Sequence, residues 1–387
     1  MSSAVDPTSD DQPGLDLPPA SLGHVLLLVE NCSVPHDRRV WNEASTLRRA
    51  GYAVSIISPE GDDLDTSSYE RIDDIDIYRF SMPFGGKGKQ DFVVEYGWAM
   101  LATLALALRI WRKQRFDVIH VANPPDFYFP FKWVFGPFGV RFVFDQHDLA
   151  AETYREKFGE TEEGGGGLVY KLLQFCETRS YRAADMVIAT NDSYRERAIG
   201  EHSVPADEVV VVRNAPDPRV YQRRPPRPEL KAGYEHMVMF VGVMGYQDGV
   251  HVLIDAAHHV RNKLGRTEVL FAIVGTGDQF GDLQEQHARL GLGEGVRFTG
   301  FISDDDMLDY LATADIGVAP DLFGPLNNVS TMTKTMDYMS MGMPTVSFDL
   351  KESRHTAGDS AVFVAENTAE SLAMAIIELI DDADRRA

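Results

Sequence analysis

Residues 327–348 read NNVSTMTKTMDYMSMGMPTVSF: a polar turn, a stretch of helical period, Gly342 and Pro344, then a short apolar run. The pattern predicts a helix that starts at Asn327 or Asn328 and stops at Gly342, because asparagine caps a first turn and glycine followed by proline ends a helix. Thr345–Phe348 then reads as a strand. At 3.6 residues per turn, Ser330, Lys334, Asp337 and Met341 share one face. Met332, Met336 and Met339 share the opposite face, which is expected to pack. A packed helix has no structural need for a lysine and an aspartate one turn apart. They form either an exposed i,i+3 ion pair, which is weak, or a ligand site. In the second case the helix N-terminus and Lys334 face phosphate, and Asp337 accepts hydrogen bonds from ribose hydroxyls.

Outward from this stretch, strands and helices alternate. In the first half, strands are expected at 24–30, 53–58, 75–80, 118–122, 141–145, 186–190 and 209–212, with helices at 38–50, 94–113 and 168–182 among them. After the proline- and arginine-rich connection NAPDPRVYQRRPPRP (214–228), the alternation restarts with strands at 237–241, 269–274, 296–298, 316–320, 345–348 and 361–364. Near-continuous apolar runs separated by helices mean parallel sheets covered on both faces. The fold class is therefore α/β, with two doubly wound Rossmann-like domains. Residues 1–22 are expected to be a disordered tail, 23–215 the first domain, 216–228 the linker and 229–387 the second domain. In such sheets ligands bind beyond the carboxyl ends of the strands.

The formal charge of −22 argues against a nucleic-acid binder, so phosphate must be held by local groups against an unfavourable overall field. Two cysteines, Cys32 and Cys176, make no disulfide framework and no metal-ligand spacing with histidine; they point to a reducing cytosol. The tail lacks the basic and apolar regions of a signal peptide. The most hydrophobic run, WAMLATLALALRIW (98–111), is too short to span a bilayer and contains Arg109. It reads as a core helix, with an interfacial helix at an anionic membrane surface as the alternative.

Strand ends carry the unusual residues. The first strand of the second half runs into Gly242-Val-Met-Gly245-Tyr-Gln247-Asp248-Gly249, and glycines there allow close backbone approach to a ligand. The next strand ends in Gly275-Thr276-Gly277. With Gly281 this echoes a dinucleotide fingerprint, but without its third spacing or a clear ribose-binding acid; the alternatives are a tight turn or a nicotinamide enzyme. In the first half, Asn31–Arg39 (NCSVPHDRR) follows strand one, and Asn123-Pro-Pro-Asp126 follows VIHVA. RFVFD runs into Gln146-His147-Asp148. His147 is placed for proton transfer or for binding sugar hydroxyls, or else caps the following helix.

Taken together, DRRVWNEASTLRRAGYAVSIIS, FDVIHVANPPD, FVFDQHDLAAETY, ADMVIATNDSYR, VVVVRNAPDP, FVGVMGYQDGVHVLIDA, IVGTGD, VRFTGFISDDDMLDYLATADIGVAP and the opening helix resemble a family 4 retaining glycosyltransferase of the GT-B fold, from residue 24 to about 380. The resemblance implies two facing domains with the active site in the cleft between them. It implies sugar transfer, with retention, from a nucleotide diphosphate sugar to a cell-surface glycan, lipid-linked or small-molecule acceptor, with no metal, no cofactor and no nucleic acid. A cytoplasmic protein with a peripheral contact at the inner face of the plasma membrane is expected. Asp337 stands at the family's second glutamate, which binds the donor ribose. Gly242, Gly245, Gln247, Asp248, Gly275, Thr276, Gly277, Ser330 and Thr331 would complete the donor site. His147, Lys334 and Asn328 would serve catalysis. Arg38, Arg39, Asn123, Asp126 and Asp148 would lie on the acceptor side.

Three departures from the family pattern stand out. The arginine and lysine usual in the glycine-rich loop fall at Val243 and Asp248. The first acid of the paired motif falls at Val329, with neutral Asn328 beside it. The usual terminal segment that crosses back onto the first domain is expected to be missing, since the sequence ends at Ala387 just after a helix. They motivate a second reading, a degenerate member that binds nucleotide or glycan as a partner subunit.

Overall fold

The computed structural model describes residues 17–61, 65–82, 89–158 and 167–386. The chain divides between Arg213 and Asn214 into two units. The first contains β1 (His24–Leu28), α1 (Arg38–Arg49), β2 (Ala53–Pro59), β3 (Tyr69–Ile72), β4 (Ile75–Phe80), α2 (Lys89–Lys113) and β5 (Val118–Ala122). It continues through α3 (Pro130–Phe135), β6 (Arg141–Gln146), α4 (Ala150–Phe158), α5 (Leu168–Ala183), β7 (Met186–Ala189), α6 (Asp192–Gly200) and β8 (Val209–Val211). The described strands form one sheet in the order β3-β4-β2-β1-β5-β6-β7-β8. Only the β3–β4 pair is antiparallel.

The second unit contains β9 (His236–Val241), α7 (Val250–His258), β10 (Val269–Val274), α8 (Phe280–Leu290), β11 (Val296–Gly300), α9 (Asp304–Thr313) and β12 (Ile316–Ala319). It ends with α10 (Thr333–Ser340), β13 (Thr345–Phe348), α11 (Lys351–Ala357), β14 (Ala361–Val364), α12 (Ala369–Asp381) and α13 (Ala383–Arg386). Its parallel sheet runs β11-β10-β9-β12-β13-β14. Strand order therefore reverses between β9 and β12 here, and between β1 and β5 in the first sheet. At such a switch point the connections leave to opposite faces, and a crevice opens at the carboxyl ends.

Some expectations are corrected. β3 was not expected: its sequence YERI has two charged residues between Tyr69 and Ile72 and no apolar run, and it pairs antiparallel at the sheet edge. Residues 1–16 of the expected tail lie outside the described residues, whereas Pro18 to Leu22 is tied down. Arg48 Nη1 donates to the Pro18 carbonyl at 2.7 Å, and the Ser21 and Leu22 amides donate to the Gly51 carbonyl. The apolar stretch in α2 buries Ala99, Thr103, Ala107 and Ile110 but leaves Trp98 and Leu101 exposed, so it packs by a narrow stripe. No helix among the described residues is long and apolar enough to cross a membrane.

The opening stretch differs most. Asn327–Val329 is a separate 3-10 turn, and α10 begins only at Thr333. The face that packs is not the methionine face. Lys334, Thr335, Tyr338 and Met341 are buried, and Met339 is exposed. Tyr338 fixes this orientation. Its ring lies over Gly317, where a Cβ would come within 2.6 Å of it. Its hydroxyl accepts from the Val241 amide at 3.1 Å and donates to the Val318 carbonyl at 3.2 Å, joining the ends of β9 and β12. Tyr338→Phe should cost about 1–3 kcal/mol in urea denaturation, because the buried Val241 amide loses its acceptor. An unchanged midpoint would mean that this pair contributes nothing.

Candidate functional site

In the second unit, the loops after β9, β10 and β12 meet α10 at the switch point. The Met244 amide donates to the Thr276 carbonyl at 3.0 Å, and the Gln279 amide donates to the Met244 carbonyl at 2.9 Å. The two glycine-rich loops thus extend the sheet ladder past the strands. Gly275 has φ +120°, and a Cβ there would lie 2.0 Å from the Gly242 carbonyl oxygen. At Gly277 a Cβ would meet the Met244 amide nitrogen at 2.5 Å. At these glycines backbone packs against backbone, in keeping with the tight-turn alternative. Thr276 is exposed between them.

Lys334 does not pair with Asp337. Its Nζ donates to Asp321 Oδ1 at 2.5 Å and to Asp248 Oδ1 at 3.4 Å, and it lies 5.4 Å from the Phe240 ring centroid. Burial opposes the charged form, but Asp321 and then Asp248 outweigh it and raise the lysine pKa, so the ammonium persists. Asp248 also accepts from the Gly245 amide at 3.0 Å. The expected donor-site acid Asp248 is therefore an internal ion-pair partner that shapes the glycine loop. Asn327 Nδ2 donates to the Gln247 and Leu322 carbonyls, both at 2.9 Å. Asn328 Oδ1 accepts from the Lys351 amide at 2.9 Å, so its carboxamide clamps α11, and α10 starts after it, which corrects its expected role as helix cap. Ser330 Oγ donates to the Leu326 carbonyl. Ser330, Thr331 and Asp337 are half-buried at the start and on the side of α10.

In the first unit, α1 starts with Asp37 as its cap, whose Oδ1 accepts from the Val40 amide at 3.0 Å. This places exposed Arg38 in the first turn and turns Arg39 inward. Arg39 donates from Nη2 to Asp145 Oδ1 at 2.9 Å, from Nη1 to the Val212 carbonyl at 3.2 Å, and its Nε lies 3.1 Å from Glu43 Oε1. Asp145 is fully buried at the end of β6. Its Oδ2 accepts from His147 Nε2 at 2.8 Å and from His120 Nε2 at 3.1 Å. Glu43 Oε2 stands 3.4 Å from His120 Nε2. Asn123 is buried and clamps the turn: its Oδ1 accepts from the His147 and Asp148 amides, and its Nδ2 donates to the Asp148 carbonyl and to Asp126 Oδ1.

Burial, reinforced by Glu177, pushes the Asp126 carboxyl up to about 8. Asn123 and Asp126 are thus internal supports, correcting their expected acceptor contact, while Asp148 is exposed. Arg39, expected to reach substrate, is an ion-pair partner. Glu43, His120, Asp145 and Asp321 were not singled out in the sequence. The available signal was a polar residue inside or at the end of a continuous apolar strand, as in VIHVA and RFVFD, since such groups must be paired.

Glu43, Asp145 and His147 offer ligand atoms within 4.8 Å of one another. Arg39 hydrogen-bonds Asp145 and lies within ion-pair distance of Glu43, so a guanidinium already stands against both carboxylates. Burial works to raise the Asp145 carboxyl, but His147, His120 and Arg39 together hold it well below the usual range. Burial, with Asp145 adding repulsion, pushes Glu43 up to about 7. His120 and His147 are raised: burial opposes their charge, and Asp145 and Glu43 outweigh it.

Two outcomes follow from these ion pairs. Lys334→Met should lower stability by about 3–5 kcal/mol in denaturant titration, because it leaves Asp321 and Asp248 uncompensated. A loss below about 1 kcal/mol would mean that the pair is solvated. The Glu43 carboxyl takes up its proton more readily when folded, so its contribution is complete below pH 4.5 and is lost as pH rises through about 7. The histidines act in the same sense above 6.5. The melting temperature should fall more between pH 5 and pH 8 in the natural chain than in Glu43→Gln, and equal slopes would remove Glu43 from the cluster.

Residues 36–215 match the family model described as a glycosyl transferase 4-like domain, and residues 235–382 the one described as glycosyl transferases group 1. An uncharacterized glycosyltransferase of Methanocaldococcus jannaschii is 25% identical over 316 residues, 78% of this chain and 73% of that protein. Sucrose-phosphate synthase of Thermosynechococcus elongatus superposes with a TM-score of 0.69 at 16% identity, covering 94% of this chain and 91% of that one. HepE of Anabaena, solved with UDP and glucose, superposes with a TM-score of 0.67 at 17% identity, over 94% and 91% of the two chains. With two Rossmann-like units and both family regions matched, the chain belongs to the group 1 glycosyltransferases and has the GT-B fold.

Proposed function

We propose that this glycosyltransferase moves a hexosyl group from a nucleoside diphosphate sugar to a glycan or glycoconjugate acceptor, with retention and without a metal ion. The observation that carries the reading is the meeting of the two glycine loops with α10 at the switch point of the second sheet. The first-turn amides of a helix have no intrahelical acceptor and attract phosphate. In this reading the diphosphate rests at the amino end of α10, beside Ser330 and Thr331, and Asp337 accepts from the ribose hydroxyls. The departing diphosphate is stabilised by these fixed dipoles. Lys334, held by Asp321 and Asp248, orders the loop that receives it. His147 lies beside the reacting sugar and donates a hydrogen bond to it. The solved HepE complexes, one holding UDP and glucose and another UDP-glucose, support starting with uridine donors.

Calorimetric titration with UDP, GDP and ADP tests the reading. One nucleoside diphosphate should bind selectively at micromolar Kd, and Asp337→Ala should weaken it by roughly tenfold, the loss of about 1.4 kcal/mol. His147→Ala should leave nucleotide affinity unchanged and lower sugar transfer. Absence of binding to all three nucleotides would instead favour the partner-subunit reading.

A further inference from the structure

In the first unit, one carboxylate serves three cationic or protonatable groups. Asp145 gives Oδ1 to Arg39 and Oδ2 to both histidines, with no exposed surface of its own. The His147 ring is held at Nε2 by this bond, and its main chain by Asn123. Nδ1 is the ring nitrogen with no protein bond among the described residues. Among the described residues, several groups face the cluster. Arg39 and Glu43 come from α1, His120 from β5, and Asp145 and His147 from β6 and the turn after it. Asp37 lies at its edge next to Arg39, and Asp148 beside His147.

Asp37 and Asp148 reach solvent, so the charge to be balanced is that of the five inner groups. Arg39 and Asp145 cancel. Glu43, His120 and His147 remain, and the cluster is neutral when these three share one proton. Buried clusters are driven toward neutrality, because an uncompensated buried charge costs several kcal/mol.

We propose that Asp145 is the positioning residue for His147, and that Glu43, His120 and His147 share one proton so that His147 can present a charged Nδ1–H to the substrate. The inference rests on the reading of His147 beside the reacting sugar. It adds three residues to that reading, none of which need touch substrate. With the proton on His147, the ring donates from Nε2 to Asp145 and from Nδ1 to a sugar oxygen. With the proton on Glu43, His147 is neutral and Nδ1 can only accept. The two states hold the same number of protons, so the donor form is available without a change in the net charge of the buried groups. Because Nδ1 has no bond into the cluster, the proton released by Glu43 is lost to solvent and the Nδ1 proton is taken from solvent. Glu43→Gln mimics permanent protonation at position 43 and withdraws the drive for an imidazolium.

The experiment is an NMR titration of the full chain labelled at histidine Cε1, with His147 assigned through His147→Gln. In the natural chain His147 should titrate above the ordinary histidine value. In Glu43→Gln its midpoint should fall by about one pH unit, as expected for the loss of one carboxylate in the first few ångströms. Glu43→Asp should restore most of the shift. UDP release from UDP-glucose, followed against pH, should show its basic limb displaced in the same direction by a similar amount. A His147 midpoint that does not move in Glu43→Gln overturns the proton-sharing unit. A midpoint that moves while His147→Ala still releases UDP at the natural rate leaves the unit standing and removes His147 from the reaction.

Discussion

A charge can be brought to the buried end of a parallel strand only if a partner arrives with it. Removing an ion from water costs several kcal/mol even after the protein relaxes, so each such charge dictates what its neighbours must be. Asp145, at the end of β6 with no exposed surface, dictates Arg39 on α1, His120 on β5 and His147 in the following turn. Lys334 on α10 dictates Asp321 after β12 and Asp248 after β9. In both units the residues that meet come from either side of the switch point, where neighbouring connections part. The doubly wound topology makes the crevice, and ion pairing across it fixes the loops that line it.

Backbone packing supplies the second constraint. The loops after β9 and β10 run so close that no side chain fits at Gly275 or Gly277. Tyr338 then seals α10 against the ends of β9 and β12 by two hydrogen bonds and contact with Gly317. These contacts set the helix rotation. Because Tyr338 and Lys334 lie on the same face one turn apart, sealing the aromatic ring also buries the ammonium. Asp337, next to Tyr338 in sequence, is turned to a half-buried flank.

The strands were legible because fully buried parallel strands are nearly continuous apolar runs. Those at 75–80, 118–122, 269–274, 345–348 and 361–364 coincide with the observed ones to the residue. β3 was not legible, since a short exposed edge strand carries no such run. The helix at 333–340 was legible as a helix but not in its facing. Sequence spacing puts Lys334 near Asp337, and nothing local reveals that Asp321 and Asp248, 13 and 86 residues away, hold the ammonium instead. His147 stood out as a histidine at a strand end, but its partner Glu43 is 104 positions away and lies on a helix that reads as an ordinary amphipathic one. Partners set by tertiary proximity are invisible to a reading that sees only neighbours along the chain. What the sequence does show is the need for them: a histidine inside VIHVA and an aspartate ending RFVFD are polar groups in positions that will be buried.

In the proposed reading a chain of net charge −22 receives a diphosphate. The overall field is unfavourable, but at physiological ionic strength exposed charges are screened beyond about 8 Å. What decides binding is the potential within that distance. At the amino end of α10 the described fixed contributions include the helix dipole, the Lys334 ammonium, and the two carboxylates that hold that ammonium. Their sum is one negative charge from the side chains set against the helix dipole. The family resemblance puts Val243 and Asp248 where the glycine-rich loop usually carries cations. In the proposed reading binding therefore leans more on the first-turn backbone amides of α10 than on formal positive charge. Amides and hydroxyls bond a phosphate only where they are already aimed at it, which gives a physical reason for the rigidity that the paired loops and Tyr338 impose. In the proposed reading, a lysine already held by two carboxylates leaves the diphosphate to be bound by geometry.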